Sequence, residues 1–340
     1  MSPTSSVILS IVTVSYETRE LTLKALESVV TEINRSKILK NQTEILVVDN
    51  NSKDGSALAC KKFLTSQTGL AGFQVLSNQV NLGFAQANNL ALKIAQGKYF
   101  LLLNSDTIVT PMGLENLIKT FESHPLDETS AHLSSAVGKI DRLGLLSPTL
   151  LNPDGSLQHQ GGDLPNLWTV LVQMSFLDDL PLIGKYFHST QHTGAAGVAK
   201  LGTQIDQTNS GIYHQGWISG TALGIRREVI EEIGVLDENI FMYGEDMEYC
   251  LRASNHHWDI AIDQSAFVIH YGQASSSSKN AILGEIKGYL YLWSKHFPAS
   301  QLPILKLILH GGMWTRFWIY QLLRQSSQAS IYAAALKLFN

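Results

Sequence analysis

Residues 98–111 read KYFLLLNSDTIVTP. Aromatic and aliphatic side chains run from Tyr99 to Leu103, stop at Asn104, Ser105 and Asp106, resume briefly, and meet Pro111. A short, uniformly apolar run of this kind, with no polar alternation, predicts a strand buried on both faces. Similar runs lie upstream, VILSIVTVSY at 7–16, EILVVDN at 44–50 and FQVLSN at 73–78. Helical periodicity separates them, over Leu21 to Ile33, from about Ser56, and across GFAQANNLALKIAQ at 83–96. Strands alternating with helices imply an α/β fold with a mostly parallel central sheet flanked by helices. Ligands of such sheets gather at the carboxyl ends of the strands, which is where Asp106 falls.

The chain has 340 residues, 44% of them hydrophobic, enough for one large domain or for one domain with a smaller appendage. The formal net charge of -4, with Lys and Arg scattered, gives no footprint for a nucleic-acid backbone. Cys60 and Cys250 are too few for a disulfide framework or a cysteine zinc site and read as reduced core residues, which fits the cytosol. The N-terminus lacks a basic region and its apolar run breaks at Ser10 and Thr13, so it reads as a first strand near the start of the mature chain rather than a signal peptide.

From 125 to 215 the pattern loosens into glycines, short polar clusters and isolated apolar runs such as LWTVLVQMSFLDDL (167–180), and the stretch reads as an insertion or flap over the sheet, with one helix somewhere in it. Regular pattern returns over 216–234, and 241–262 reads as a loop, a helix and a strand. The region 276–340 is expected to be helical. Its most apolar part, 302–323, is divided by Lys306, a His310-Gly311-Gly312 break and Arg316 into pieces short of the roughly 20 apolar residues that span a bilayer. It reads either as a helix packed on the domain or as an interfacial helix in peripheral contact with a membrane, with Trp314, Trp318 and Tyr320 at headgroup level.

Four clusters carry chemistry. Asp49 closes an apolar run before a turn-rich stretch, and two readings fit. Either Asp54 or Ser56 caps the next helix, or Asp49 accepts a hydrogen bond from a nucleobase imide or a ribose hydroxyl. Asp106 is too early to cap a helix starting near Pro111, and a hard divalent cation that bridges two phosphates needs only one or two protein oxygens. Glu245, Asp246 and Glu248 serve either the dipole of a helix start or the removal of a proton from an attacking hydroxyl. His270 ends a strand before a Gly- and Ser-rich loop, either as a metal ligand beside a phosphate site or as a satisfied, partly buried histidine. No G-x-G-x-x-G follows the first strand, and neither a P-loop nor a G-x-S-x-G elbow occurs.

In this order, SIVTVSY, EILVVDNNSKDGS, NQVNLGFAQANNLAL, YFLLLNSDTIVTP, WISGTALGIRREVIEEIGVLDENIFMYGEDMEYCLRA and VIHYGQAS resemble the family 2 glycosyltransferases, in particular their rhamnosyltransferase-like bacterial branch. The resemblance implies a GT-A fold over 1–275, with a nucleotide-binding half (1–124), the variable segment 125–215 and an acceptor and catalytic-base half (216–275). It implies inverting transfer from a nucleotide-sugar donor to a glycan or lipid-linked acceptor, with Mg2+ or Mn2+. Matched by motif, Val14 and Tyr16 would flank the base, Asp49 would bind base or ribose, and Asn88, Asn89 and Ser105 would line the donor pocket. Asp106 would bind the metal and Asp246, with Glu245 beside it, would be the catalytic base. Asn104 stands where the family's Asp-x-Asp motif has its first acid, which leaves one carboxylate and makes His270 a further metal candidate. Trp217 and Gly220 are the acceptor-side candidates. By analogy the donor is dTDP-rhamnose, with a UDP-hexose as rival and a non-catalytic sugar-nucleotide-binding homologue as the reading without chemistry. A cytoplasmic location, peripheral on the inner membrane face through 302–323, follows.

Overall fold

The computed structural model describes residues 7–126, 142–180, 182–191, 211–272 and 278–339. The strands are β1 Leu9–Ser15, β2 Thr43–Asp49, β3 Gly72–Ser77, β4 Tyr99–Leu103, β5 Thr107–Val109, β6 Leu143–Leu151, β7 Gly161–Gly162, β8 Ile212–His214, β9 Trp217–Ile218, β10 Ala222–Arg226 and β11 Asp259–His270. The helices are α1 Arg19–Arg35, α2 Ser56–Thr65, α3 Gly83–Leu92, α4 Gly113–Ser123, α5 Leu167–Ser175, α6 Arg227–Ile233, α7 Glu245–Asn255, α8 Ser278–His296, α9 Leu302–Leu322 and α10 Ser326–Leu336. One nine-stranded sheet has the order β3-β2-β1-β4-β10-β6-β11-β5, with β8 also on β11, and β7 pairs β9 apart from it. Strands β1 to β4, β6 and β11 run one way, while β5, β8 and β10 run against them.

The apolar runs of β1, β2 and β4 are buried on both faces, as their composition requires, whereas β3, at the edge of the sheet, is only partly buried. Along β1 and β2, Val12, Leu46 and Val48 face one core, which α3, α7, α8 and α9 cover. The alternate residues, Ile11, Ile45 and Val47, face a second core under α1, α2 and α4. Period-two alternation in a strand sends neighbours to opposite faces, so a sheet clothed twice needs apolar residues at every position. Cys60 and Cys250 are free and buried within these cores.

Two expectations are corrected. Leu143–Leu151, read as part of an insertion, is a buried strand in the middle of the sheet, between β10 and β11. Pro148 disguises it, because a proline supplies no N–H to a ladder. Here the irregularity in β11 between Asp263 and Phe267 falls beside Pro148 and absorbs the mismatch. The expected helix in this stretch is α5, which opens with a capping box made by Asn166 and Thr169. Much of the rest, 127–141 and 192–210, lies outside the described residues.

The second correction concerns the C-terminus. Helix α9 runs unbroken through Gly311 and Gly312. Gly312 is required by proximity, since a Cβ there would meet the Met174 side chain of α5 at 2.7 Å. Among the described residues no helix is long and apolar enough to cross a membrane.

Candidate active site

The carboxyl ends of the parallel strands open into a cleft of about 1180 Å³. Val14, Tyr16, Asn104, Ser105 and Asp106 line one wall, and Trp217, Gly220, Glu245, Asp246 and residues of α8 line the other.

The sheet itself brings Asp106 and His270 together from 164 positions apart. Strand β5 pairs antiparallel with the end of β11, aligning Thr107 with His270, and Tyr271 N–H donates to the Asp106 carbonyl at 3.0 Å. The His270 Nε2 atom then lies 3.3 Å from Asp106 Oδ1. The other ring nitrogen, Nδ1, is 2.7 Å from Gln158 Oε1. That oxygen can only accept, and the amide's orientation is fixed because its Nε2 donates to Asn152 Oδ1 at 2.9 Å and to the His270 carbonyl at 3.2 Å. Nδ1 therefore carries a proton, and a neutral His270 turns the Nε2 lone pair toward a carboxylate oxygen. Two acceptor atoms at this distance are satisfied by a proton or by a cation between them. No cluster of three or more His, Cys, Asp or Glu with metal-holding geometry occurs among the described residues. An ion here takes its remaining ligands from elsewhere, as a phosphate-bridging cation does.

On the opposite wall three acids in one helical turn have separate fates. Glu248 is buried in an ion cluster with Arg252, Lys295 and His296 at 2.7 to 2.9 Å. Burial works against its charge, but the Arg252 contact and these other bonds hold its pKa below the ordinary glutamate range. Asp246 sits in the first turn of α7, where the N–H groups of Gly220, at 3.0 Å, and Met247, at 2.8 Å, donate to its two oxygens. Burial nonetheless raises its pKa, and these backbone bonds offset only part of the rise. Glu245 is more deeply enclosed, and its Oε2 is buried with no hydrogen-bond partner among the described residues. Burial and then the neighbouring charge of Asp246 raise its pKa.

The loop carrying these acids is clamped by α8. A Cβ at Gly284 would meet the Tyr243 ring at 2.5 Å, and one at Gly288 would meet the Tyr243 carbonyl at 2.6 Å. Glycines one turn apart therefore let α8 lie directly on the Tyr243–Gly244 corner. From this helix Glu285 lines the cleft, with Oε1 accepting from Gln173 at 2.9 Å and Gln191 at 2.7 Å. Tyr289, a turn later, holds Thr190 and Gln173 at 2.8 Å through its hydroxyl.

Other expected residues are placed differently. Asn88 and Asn89 do not line the cleft, contrary to expectation. Asn88 bonds the Phe84 carbonyl in its own helix, and Asn89 ties α3 to Leu236 and Glu238. It is the start of α3, at Gly83 and Phe84, that reaches the cleft, and the asparagines follow more than a turn later. Asp49 is buried just before the cleft-lining Asn50, with an Oδ1 that makes no hydrogen bond among the described residues. The turn after it is an Asx-turn in which Asp54 accepts from Ser56 and from the Arg19 N–H, but neither Asp54 nor Ser56 is the helix cap the sequence suggested, because Gly55 takes the N-cap position of α2 with no side-chain cap bond. Ser105 bonds Thr18 at 3.0 Å. Trp217 is mainly a core residue, 8% exposed, whose indole N–H donates to the Thr190 carbonyl, although part of it borders the cleft. The Ser-rich loop at 273–277 lies outside the described residues.

Sequence reading missed Gln158 and the whole α8 wall. Nothing local marks Gln158, because its role depends on a partner 112 residues away. The Gly284-x-x-x-Gly288 spacing was the available sign of a helix in close contact.

The family model for Glycosyl transferase family 2 matches residues 10–234. An N-acetylglucosaminyl-diphospho-decaprenol L-rhamnosyltransferase of Mycobacterium tuberculosis is 23% identical over 288 residues, spanning 80% of this chain and 81% of that one. The resemblance to rhamnosyltransferase-like members of the family is thereby supported. Glycosyltransferase GlyG of Streptococcus pneumoniae is 29% identical over 115 residues, 34% of each chain. Among solved structures, the mannosyltransferase PcManGT of Pyrobaculum calidifontis, in complex with GDP-Man and Mn2+, superposes with a TM-score of 0.53 at 13% identity, over 97% of this chain and 74% of that one. GalNAc-T7, with UDP, GalNAc and Mn2+, gives 0.57 at 16% identity, over 85% and 48%. The chain therefore belongs to glycosyl transferase family 2, as a glycosyltransferase with the GT-A fold.

Proposed function

We propose that the chain transfers rhamnose from dTDP-rhamnose, inverting the anomeric carbon, to a hydroxyl of a glycan or lipid-linked acceptor in cell-surface polysaccharide synthesis. The mycobacterial relative supports both substrates, since its name specifies a rhamnosyl transfer to a lipid-linked diphosphate sugar. The observation that carries the reading is the shared cleft, with the Asp106–His270 pair on one wall and Asp246 on the other.

In this mechanism residues 1–124 hold the nucleotide, with Val14 and Tyr16 against the base and Asp49 Oδ1 accepting from base or ribose. Ser105 and Asp106 face the diphosphate. Residues 216–275 supply the base: Asp246 takes the proton of the acceptor hydroxyl as its oxygen forms a bond to C1. The C1–O bond to the diphosphate breaks, and its electron pair leaves with the nucleoside diphosphate. The Gly220 N–H aims the Asp246 carboxylate, and a Glu245 kept neutral by burial leaves Asp246 as the single anion of the pair. Trp217, Gly220 and Glu285 form the acceptor side. Asp106 and His270 fit a divalent cation, Mg2+ or Mn2+, which when bound would stabilise the charge gathering on the diphosphate. The chain acts in the cytoplasm, in peripheral contact with the inner membrane face through 302–323.

The test is thermal stabilisation of the protein by dTDP- and UDP-sugars, each with and without Mg2+ or Mn2+. A cation-dependent shift with dTDP-rhamnose is expected. A shift confined to a UDP-hexose overturns the donor, and no shift with any of them, in folded protein, overturns the whole reading.

A further inference from the structure

The chain is acidic as a whole, yet no Asp or Glu follows Glu285. The last 55 residues carry six cations, Lys287, Lys295, Lys306, Arg316, Arg324 and Lys337, leaving 19 Lys and Arg against 29 Asp and Glu in the rest. Lys306, Arg324 and Lys337 are exposed and make no ion pair among the described residues.

The same region presents a line of apolar side chains to solvent. Along α9, Ile304, Leu307, Trp314, Trp318 and Leu322 are exposed, Leu307 by 72% and Leu322 by 81%. Their spacing, with the exposed Gly311 between them, follows one face for 18 residues, about 27 Å at the α-helical rise. The helix is not free to roll this face inward. Leu305, Leu309 and Met313 fill the core on the opposite side, and Gly312 is seated on Met174. Arg316 locks the rotation by donating to the carbonyls of Met174 at 2.8 Å and Gln173 at 3.0 Å, with its guanidinium 4.0 Å from the Phe176 ring.

We infer that this face of α9 lies in the surface of an anionic phospholipid bilayer, with the Ile304–Leu322 line sunk among the acyl chains and the cations at the headgroups. An apolar stripe with tryptophans, rimmed by cations, on a helix not apolar enough to span, has the character of an interfacial helix. A second copy of the chain fits less well, because a two-fold contact through this stripe sets each copy's cations against the other's. The inference rests on the peripheral-membrane reading and adds the chemistry of the lipid. It also bears on the acceptor. Helix α8 both lines the cleft and supports α9 and α10, so a lipid-anchored acceptor is presented beside the catalytic wall.

The experiment is sedimentation of the full chain with vesicles of phosphatidylcholine alone or of equimolar phosphatidylglycerol and phosphatidylcholine. Binding to the anionic vesicles should be about tenfold tighter or more, and should weaken with salt. Leu307→Glu and Trp318→Ser, at exposed positions and checked for an unchanged melting temperature, should each release most of the bound protein. Equal binding of wild type and both variants, or no preference for anionic vesicles, overturns the inference. So does a dimer, seen by light scattering, that the variants dissolve while no vesicle binding occurs. Nucleotide-sugar stabilisation is measured separately on the same samples. Vesicle binding without it overturns the transferase reading and leaves the lipid face standing, and the reverse overturns the lipid face alone.

Discussion

The two acidic walls of the cleft are built in opposite ways. Asp106 stands at a strand turn opposite an imidazole whose tautomer is set by Gln158, so its surroundings offer a place for positive charge. Asp246 stands in the first turn of a helix beside a second acid, with backbone N–H groups as its hydrogen-bond donors and burial raising its pKa. One wall sets a carboxylate beside an imidazole nitrogen where a cation fits, and the other holds a carboxylate whose pKa burial raises. On the proposed mechanism, donor and acceptor chemistry would be separated by environment rather than by residue type, since both walls use aspartate.

Asp246→Asn tests the contrast most severely. The amide keeps the shape and cannot take the proton, so turnover should fall by about 10³-fold while donor affinity changes little. Single-turnover rates and nucleotide-sugar titration read the two separately, and undiminished turnover would remove Asp246 from the role of base. Asp106→Asn should cost about 10²-fold or more in kcat/KM. Its distinguishing sign is that donor stabilisation no longer depends on Mn2+. If the cation dependence persists in this variant, the ion is held elsewhere.

A smaller effect sharpens the same comparison. Gln158→Leu removes the acceptor that keeps the proton on His270 Nδ1 and frees the other tautomer, while Asp106 is untouched. Losing such a positioning partner should weaken Mn2+ binding by roughly tenfold. Titration of Mn2+ followed by electron paramagnetic resonance, with donor present, measures it, and an unaltered affinity would mean that His270 is not a ligand.

What the sequence disclosed and what it hid divides along local and non-local causes. Strands β1, β2 and β4 announce themselves because burial on both faces leaves nothing polar in LSIVTVS, TEILVVD or YFLLL. Asp106, just past the end of such a strand, and Asp246, in the first turn of a helix, were legible as acids at the ends of elements. Strand β6 was not, because Pro148 breaks the strand rule and its compensation lies in another strand. Asn88 and Asn89, assigned to the donor pocket by motif position, misled for a related reason: only the fold shows Asn88 bonding the Phe84 carbonyl in its own helix and Asn89 tied to Leu236. Gln158 and Glu285 acquire meaning only from partners more than 90 residues away, and a linear reading has no means of pairing them.

Glu245 should give the smallest effect, and it separates the two neighbouring acids from each other. Burial first, and the charge of Asp246 second, raise its pKa above the ordinary value of 4.5. Between that value and the raised one, the unfolded chain has released a proton that the folded chain retains. The unfolded state binds fewer protons in this window, so folding stability falls as pH rises through it and levels off above the raised pKa. In Glu245→Gln nothing titrates at this position, and the fall it contributes should be missing. Melting temperatures of the two proteins should therefore converge at the acid end and separate toward the alkaline end, with the variant the more stable there. Parallel curves would show that Glu245 ionises as readily in the fold as outside it. Asp246 would then share its site with a second anion, and the base would lose the neutral neighbour on which its single charge depends.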